Sequence, residues 1–250
     1  MKKYTSIISL TIVIFAALWG FYDMSPRFVK EAKSTTDFSV EKALTHLKEI
    51  SKETHHVGTT AHKDVQNYIV SELKTLGLSP KIQTQTIVNK KWFAGTTAEN
   101  IIVKIEGSKK GKSLLLLSHY DSNPHSALGA SDAGSGVVTI LEGLRAFLAN
   151  NKLPENDIII LISDAEELGL LGAKAFVEYH PLAKEVGLVL NFEARGSGGP
   201  SYMLLETNGK NSKMITEFLK ANPSYPASNS LLYSVYKKLP NDTDLTVFRE

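Results

Sequence analysis

The chain of 250 residues has no cysteine, which excludes disulfide frameworks, thiol catalysis, iron–sulfur clusters and any zinc site built on thiolates. A metal site in this sequence has to be made from His, Asp and Glu. A dominant charge sign is missing as well. The 28 Lys and Arg face 26 Asp and Glu, the formal net charge is +2, and the signs are interspersed. A nucleic-acid binder usually shows a basic stripe, so no nucleic-acid partner is expected. Internal repeats and low-complexity tracts are also absent. With 42% hydrophobic and 22% charged residues the composition is that of a folded chain, and wholesale disorder is excluded. The length suits one large α/β domain with a short appendage.

The appendage is N-terminal. Lys2 and Lys3 are followed by an uncharged stretch, Tyr4–Tyr22, of 19 mostly apolar residues before Asp23. As a helix it would span about 28 Å, close to the thickness of a bilayer core. A cleaved signal peptide shares the charged start and the apolar run. Here, however, the run closes on Trp19, Gly20, Phe21 and Tyr22 and not on small residues at a cleavage site. Aromatics at that point suit a membrane interface. The segment therefore reads as an uncleaved transmembrane anchor over residues 1–24. Lys2 and Lys3 should stay cytoplasmic, and the rest of the chain should lie outside the cytoplasm. Residues 25–37 are polar and read as a linker, and residues 38–250 as the folded domain.

Within that domain, Ser39 is placed to cap a helix running to residue 51, with Val40, Leu44, Leu47 and Ile50 on one face. A second helix is expected over 61–76, carrying Val65, Tyr68, Ile69 and Leu73 and stopping at Gly77. Residues 81–88 alternate as a half-buried strand, and 100–105 read as another. Three short apolar runs follow, at 114–117, 158–162 and 186–192, as expected for strands covered on both faces of a parallel sheet. Helical patterns over 136–148 and 169–179 separate them. This alternation predicts an α/β fold, with a doubly wound, mixed but mainly parallel sheet flanked by helices.

Each apolar run ends in residues that ligate metals. His119 and Asp121 follow the first, Asp164, Glu166 and Glu167 the second, and Glu193 closes the third. Asp132 lies in a glycine-rich turn between the first run and its helix. In open α/β sheets, ligands bind at the carboxyl ends of the strands, so these segments should converge. Singly, each residue has an ordinary role: Asp132 as a helix cap, the glutamates as first-turn carboxylates. Their shared topological position argues against that, and adjacent Glu166 and Glu167 are costly unless a cation or proton relieves them. Carboxylates with one imidazole form a hard, anionic pocket suited to a divalent metal. Asp121, two residues after His119 on an extended segment, points to the same side and is placed to orient the imidazole. Of the paired glutamates, one can bind metal while the other takes a proton from water.

In this order the segments resemble metallopeptidase family 28, the two-zinc exopeptidases that include bacterial zinc aminopeptidases. They look most similar to its membrane-bound members related to the endoplasmic-reticulum metallopeptidases. The resemblance runs from about Leu44 to Glu250. It takes in His55-His56-Val57-Gly58-Thr59, Ser118-His119-Tyr120-Asp121-Ser122 and Gly129-Ala130-Ser131-Asp132-Ala133-Gly134. It continues through Asp164-Ala165-Glu166-Glu167-Leu168-Gly169-Leu170-Leu171-Gly172, Asn191-Phe192-Glu193 and Asn241-Asp242-Thr243-Asp244. It implies the zinc exopeptidase fold and two Zn2+ per complete catalytic domain. His119 and Glu193 would be ligands of one zinc, Asp132 would bridge both, and Glu167 would be a ligand of the other. Glu166 would be the general base, and Asp121 would stand behind His119.

His55, His56, His125 and His180 match no ligand position in that family, while Asp242 and Asp244 match a loop near its pocket, where a turn role is equally open. Ala133 stands where many relatives carry a second acid, which implies altered local backbone support at an unchanged metal count. A last histidine ligand is expected downstream of 241–244, past Glu250. The chain thus reads as a piece of a longer protein, and the piece is expected to bind metal poorly. The resemblance implies a membrane-anchored, extracytoplasmic aminopeptidase acting on peptide substrates, held to the lipid bilayer through its N-terminal helix. Two other expectations stay open: glutaminyl-cyclase-like acyl transfer on the same fold, and an inactive receptor-like or binding relative.

Overall fold

The computed structural model describes residues 2–25, 31–125, 127–194, 196, 212–220, 234–235, 238–239 and 242–249. It divides into two compact units, Met1–Phe28 with Gly198–Asn241, and Val29–Ser197 with Asp242–Glu250. The first unit opens with helix α1, Lys2–Met24. Its span Tyr4–Tyr22 has a mean hydropathy of 1.9 and buries none of its residues, and by length and composition it is able to cross a membrane.

The second unit holds residues 38–197 and 242–250 of the expected 38–250 domain, while 198–241 fall in the first unit. Helix α2, Val40–Ile50, starts where Ser39 accepts a hydrogen bond from the Lys42 amide, and helix α3, Thr60–Thr75, is capped in the same way by Thr59. A hairpin follows, formed by β1, Lys81–Asn89, and β2, Ala94–Ile105, paired antiparallel from Lys81 opposite Ile102 to Asn89 opposite Ala94. Strand β2 starts earlier than the expected 100–105. Its first half (Ala94, Gly95, Thr96, Thr97, Ala98, Glu99) carries no apolar run, and its strand geometry comes from pairing with β1. Strand β3, Ser113–His119, leads to helix α4, Ser135–Leu148. Strand β4, Ile158–Ser163, leads to helix α5, Leu171–Tyr179, and strand β5, Val186–Asn191, comes last.

The sheet order is β1-β2-β4-β3-β5. β3 pairs parallel with both β4 and β5, while β2 pairs antiparallel with β4 and β1. The sheet is therefore mixed, and its parallel half is the one whose strand ends carry the predicted site. The chain returns to the first unit in α6, Ser212–Lys220, and re-enters the second in α7, Asp244–Val247.

Side chains along β4 alternate between two cores. Ile160 and Ile162 pack with Val65, Ile69 and Leu73 of α3 and Val137, Ile140 and Leu141 of α4. Ile159 and Leu161 pack on the other face with Leu115, Leu117 and Phe176 of α5. Coverage on both faces is what the unbroken apolar runs predicted. β5 departs from that expectation, since Leu188 is exposed and the strand has only one paired neighbour among the described residues.

Candidate metal centre and active site

His119 is the last residue of β3, opposite Ser163 of β4 in parallel register. Its side chain is buried. Nδ1 donates to the main-chain oxygen of Asp121 at 3.0 Å, so this nitrogen carries a proton and Nε2 faces the carboxylates. Nε2 lies 3.0 Å from Asp132 Oδ1, 3.5 Å from Glu193 Oε1 and 3.9 Å from Glu166 Oε2. The ligand atoms of His119, Asp132 and Glu193 all fall within 4.8 Å of one another. Three strand ends and one turn, predicted to converge, do so.

Asp132 reaches this point from the irregular helical turn Ala130–Gly134, entered through Gly129 at φ 65 and closed by the Gly134 amide on the Gly129 carbonyl at 2.8 Å. The turn is pressed against the strand ends by the start of α4. A β-carbon on Gly136 would stand 2.4 Å from both Phe192 O and Ser118 Oγ, so only glycine lets the helix approach so closely. Glu166 and Glu167 lie in the turn after β4, set by Ala165 at φ 56. The Asp121 carboxylate accepts from their amides at 3.0 and 3.2 Å, and its Oδ1 also stands 3.3 Å from His119 Nδ1. Asp121 thus braces two site segments, one more than its position in the sequence suggested. Glu167 lies outside the three-residue ligand group, and its Oε2 accepts from Asn123 at 2.8 Å.

In the sequence Asp244 matches a loop near the family's pocket with a turn role equally open, and no sequence signal marks Asn123. Asp244 is buried at the start of α7, takes the Ser163 hydroxyl on one oxygen, and leaves the other without a hydrogen-bond partner among the described residues. Its field reaches Glu166. No periodicity marks it, because a four-residue helix has no pattern to read. His55 is buried against the Gly129 turn, and its amide donates to Ser122 Oγ at 2.9 Å. It is not part of the His119, Asp132 and Glu193 group.

The electrostatics are those of crowded acids. Burial alone would lower the His119 pKa, but Asp121, Asp132 and Glu193 together outweigh it and hold the imidazole well above its ordinary value. Burial pushes Glu166 well above the carboxylate range, with His119 pulling it down and Asp244, Glu193 and Asp121 pushing it up. Glu167 is raised for the same first reason, against its Asn123 hydrogen bond. Burial also carries Asp244 up to about 7. Glu193 Oε2 is buried with no hydrogen-bond partner among the described residues. One imidazole, clustered carboxylates and an unpartnered buried oxygen make a donor set that fits Zn2+. A cation would satisfy the oxygen and relieve the repulsion among the carboxylates.

The family model described as Peptidase family M28 matches residues 100–250, which include His119, Asp121, Asp132, Glu166, Glu167, Glu193 and Asp244. The vacuolar membrane protease of Candida albicans is 32% identical over 254 residues, covering 98% of this chain and 29% of that protein. The one of Candida tropicalis is 29% identical over 265 residues, covering 100% and 28%. The chain thus spans less than a third of the length of these relatives. Among solved structures, a glutaminyl cyclase of Porphyromonas gingivalis superposes with a TM-score of 0.52 at 27% identity, covering 58% of this chain and 55% of that one. A leucine aminopeptidase precursor of Bacteroides thetaiotaomicron gives 0.53 at 23% identity, covering 63% and 62%, and shows the same fold.

Proposed function

The chain belongs to Peptidase family M28, and from that premise we propose that its second unit is the catalytic part of a membrane-anchored zinc aminopeptidase. The observation that carries this reading is the meeting of His119 Nε2 with the carboxylates of Asp132 and Glu193, and with Glu166 Oε2 3.9 Å away. His119 and Glu193 would hold one zinc, Asp132 would be shared between two, and Glu167 would serve the second. Zinc bound there supplies Lewis acidity, which makes water a nucleophile at neutral pH and polarises a carbonyl.

The protein's own part is proton transfer and orientation. Glu166 takes a proton from the attacking water and returns it to the departing amine nitrogen as the peptide bond breaks. Burial suits it to both steps, because a carboxylate lifted toward neutrality accepts and releases a proton more evenly than an exposed one. Asp121 fixes the geometry by holding the Glu166 and Glu167 amides. The apolar span Tyr4–Tyr22 would anchor the chain in a bilayer with the catalytic unit outside the cytoplasm. The relatives named vacuolar membrane protease are consistent with a lumenal site of this kind.

The likeness to a glutaminyl cyclase at 27% identity keeps acyl transfer as a second reading. Mass spectrometry of free and N-acetylated peptides, incubated with the full-length zinc-loaded protein, separates the two. Loss of single residues from free N-termini, with acetylated peptides untouched, is the expected result. Loss of ammonia from N-terminal glutamine, or internal cleavage, contradicts it. Glu166→Gln should keep zinc and lower turnover by about 10²–10⁴-fold. A variant as active as the wild type would remove Glu166 from the role of base.

A further inference from the structure

A second buried polar cluster lies behind the site, built from residues that the proposed chemistry does not use. His62, on the first turns of α3, donates from Nε2 to Asp164 Oδ1 at 2.8 Å, across 102 positions of sequence. Asp164 Oδ2 accepts the Glu99 amide at 2.8 Å, and the Asp164 amide donates to Asn100 Oδ1 at 2.9 Å. The His62 ring stacks on Tyr120 with centroids 4.7 Å apart and planes 20° apart. The Tyr120 hydroxyl accepts from Gln66 Nε2 at 3.0 Å and donates to the Glu99 carbonyl at 3.1 Å. All of His62, Gln66, Tyr120 and Asp164 are buried.

The placement of the two ends of this cluster gives it meaning. Tyr120 is the residue after His119. Asp164 is followed by Ala165, which is fully buried at φ 56, and then by Glu166. A left-handed alanine is strained, and it persists only where its surroundings fix it. Asp164 is the fixed point. Its carboxylate and amide are both bound, and Gly172 packs so closely that a β-carbon there would lie 2.2 Å from the Asp164 carbonyl. Among the described residues, His62 is the hydrogen-bond partner of Asp164 that comes from outside the sheet and also touches the neighbour of His119.

We propose that His62 is a positioning residue for catalysis, one imidazole that sets the strand end bearing His119 and the turn bearing Glu166 relative to each other. The proposal rests on Glu166 being the general base. It predicts that severing the His62–Asp164 bond lets the Ala165–Glu166 turn relax away from the reacting water, while the ligand group survives. Misplacement of this order costs about 10- to 100-fold in kcat.

The test uses the full-length, zinc-loaded protein and compares wild type, His62→Leu, His62→Asn, His62→Gln and Glu166→Gln. Leucine fills the space without a donor, and asparagine is polar but too short to reach Asp164. Glutamine restores an N–H at about the right reach. The expected result is a loss of kcat of about tenfold or more in the leucine and asparagine variants, with KM and zinc content unchanged, and recovery of most of it in the glutamine variant. Hydrogen exchange at the amides of residues 165–169 should quicken in the first two and not in the third. A merely structural role would lower the melting temperature and leave kcat per folded, zinc-loaded molecule within about twofold of wild type. That outcome, or a glutamine variant as impaired as the leucine one, overturns the proposal. The asparagine variant decides the matter if the leucine variant does not fold. A wild type without peptidase activity, or an active Glu166→Gln variant, would instead overturn the assignment of the base.

Discussion

Asp244 shows how a single buried carboxyl ties this site to pH. Burial lifts it to about 7, with His119 and the Ser163 hydroxyl pulling it down and Glu193 and Asp121 pushing it up. In the unfolded chain an aspartate titrates near ~3.9. The folded, metal-free protein therefore keeps a proton that the unfolded chain gives up between those values. The stability this contributes is complete below about pH 4 and is lost as the pH rises through about 7. His119, Glu166 and Glu167 are also raised and act with the same sign. The melting temperature of chelator-treated protein should thus fall from about pH 5 to about pH 8, and Asp244→Asn, which has no proton to lose, should flatten the fall. A melting temperature that rises over this interval would contradict the burial of these acids. Metal and protons compete for the same oxygens, so zinc binding should release protons and restore the high-pH stability.

At the scale of elements, the parallel half of the sheet does the positioning, and the start of α4 is a close joint with it. Gly136 lets that helix meet Phe192 O and Ser118 Oγ, which draws the Asp132 turn onto the ends of β3 and β5. Gly136→Ala is expected to destabilise the protein by about 1–3 kcal/mol in urea unfolding and to weaken zinc retention, because Asp132 would be moved off His119. An unchanged unfolding midpoint would show that the joint has slack.

Sequence reading succeeded at this scale where burial writes a periodic signal. Ser39 and Thr59 cap the two expected helices, and the apolar runs became β3, β4 and β5. It failed where conformation is set from a distance. The helix expected from residue 169 begins at Leu171, because Gly169 and Leu170 are left-handed, at φ 117 and 60. The first half of β2 is strand only because β1 lies beside it. His119, Asp132, Glu166 and Glu193 could be singled out because strand ends are where α/β folds gather function. Asn123 could not, Asp244 could be matched only to a loop whose role stayed open, and nothing in the sequence joined His62 and Asp164 as a pair. The two members of that pair are 102 residues apart, and His62 looks like an ordinary polar residue of a surface helix.

At the scale of the molecule, the segment read as a linker is held before the domain begins. Arg145 on α4 binds the Glu142 carboxylate through Nε and Nη2 at 2.7 Å each and donates to the carbonyls of Thr35 and Asp37. Glu142, fully buried, also accepts the Ser39 amide at 2.7 Å. Residues 35–39 are thus tied to α4 at a charged, partly buried knot ahead of α2. Arg145→Ala leaves a buried carboxylate short of partners and should cost about 2 kcal/mol, seen as a lower denaturation midpoint at unchanged slope. A variant with wild-type stability would show that Glu142 reaches water.

The central claim is that these strand ends form a two-zinc hydrolytic site. Elemental analysis of zinc per chain in the full-length protein, wild type beside Asp132→Ala, tests it most directly. The account predicts two zincs in the wild type and at most one once the shared carboxylate is removed. A wild type without zinc, or an Asp132→Ala variant that keeps both ions, would contradict it.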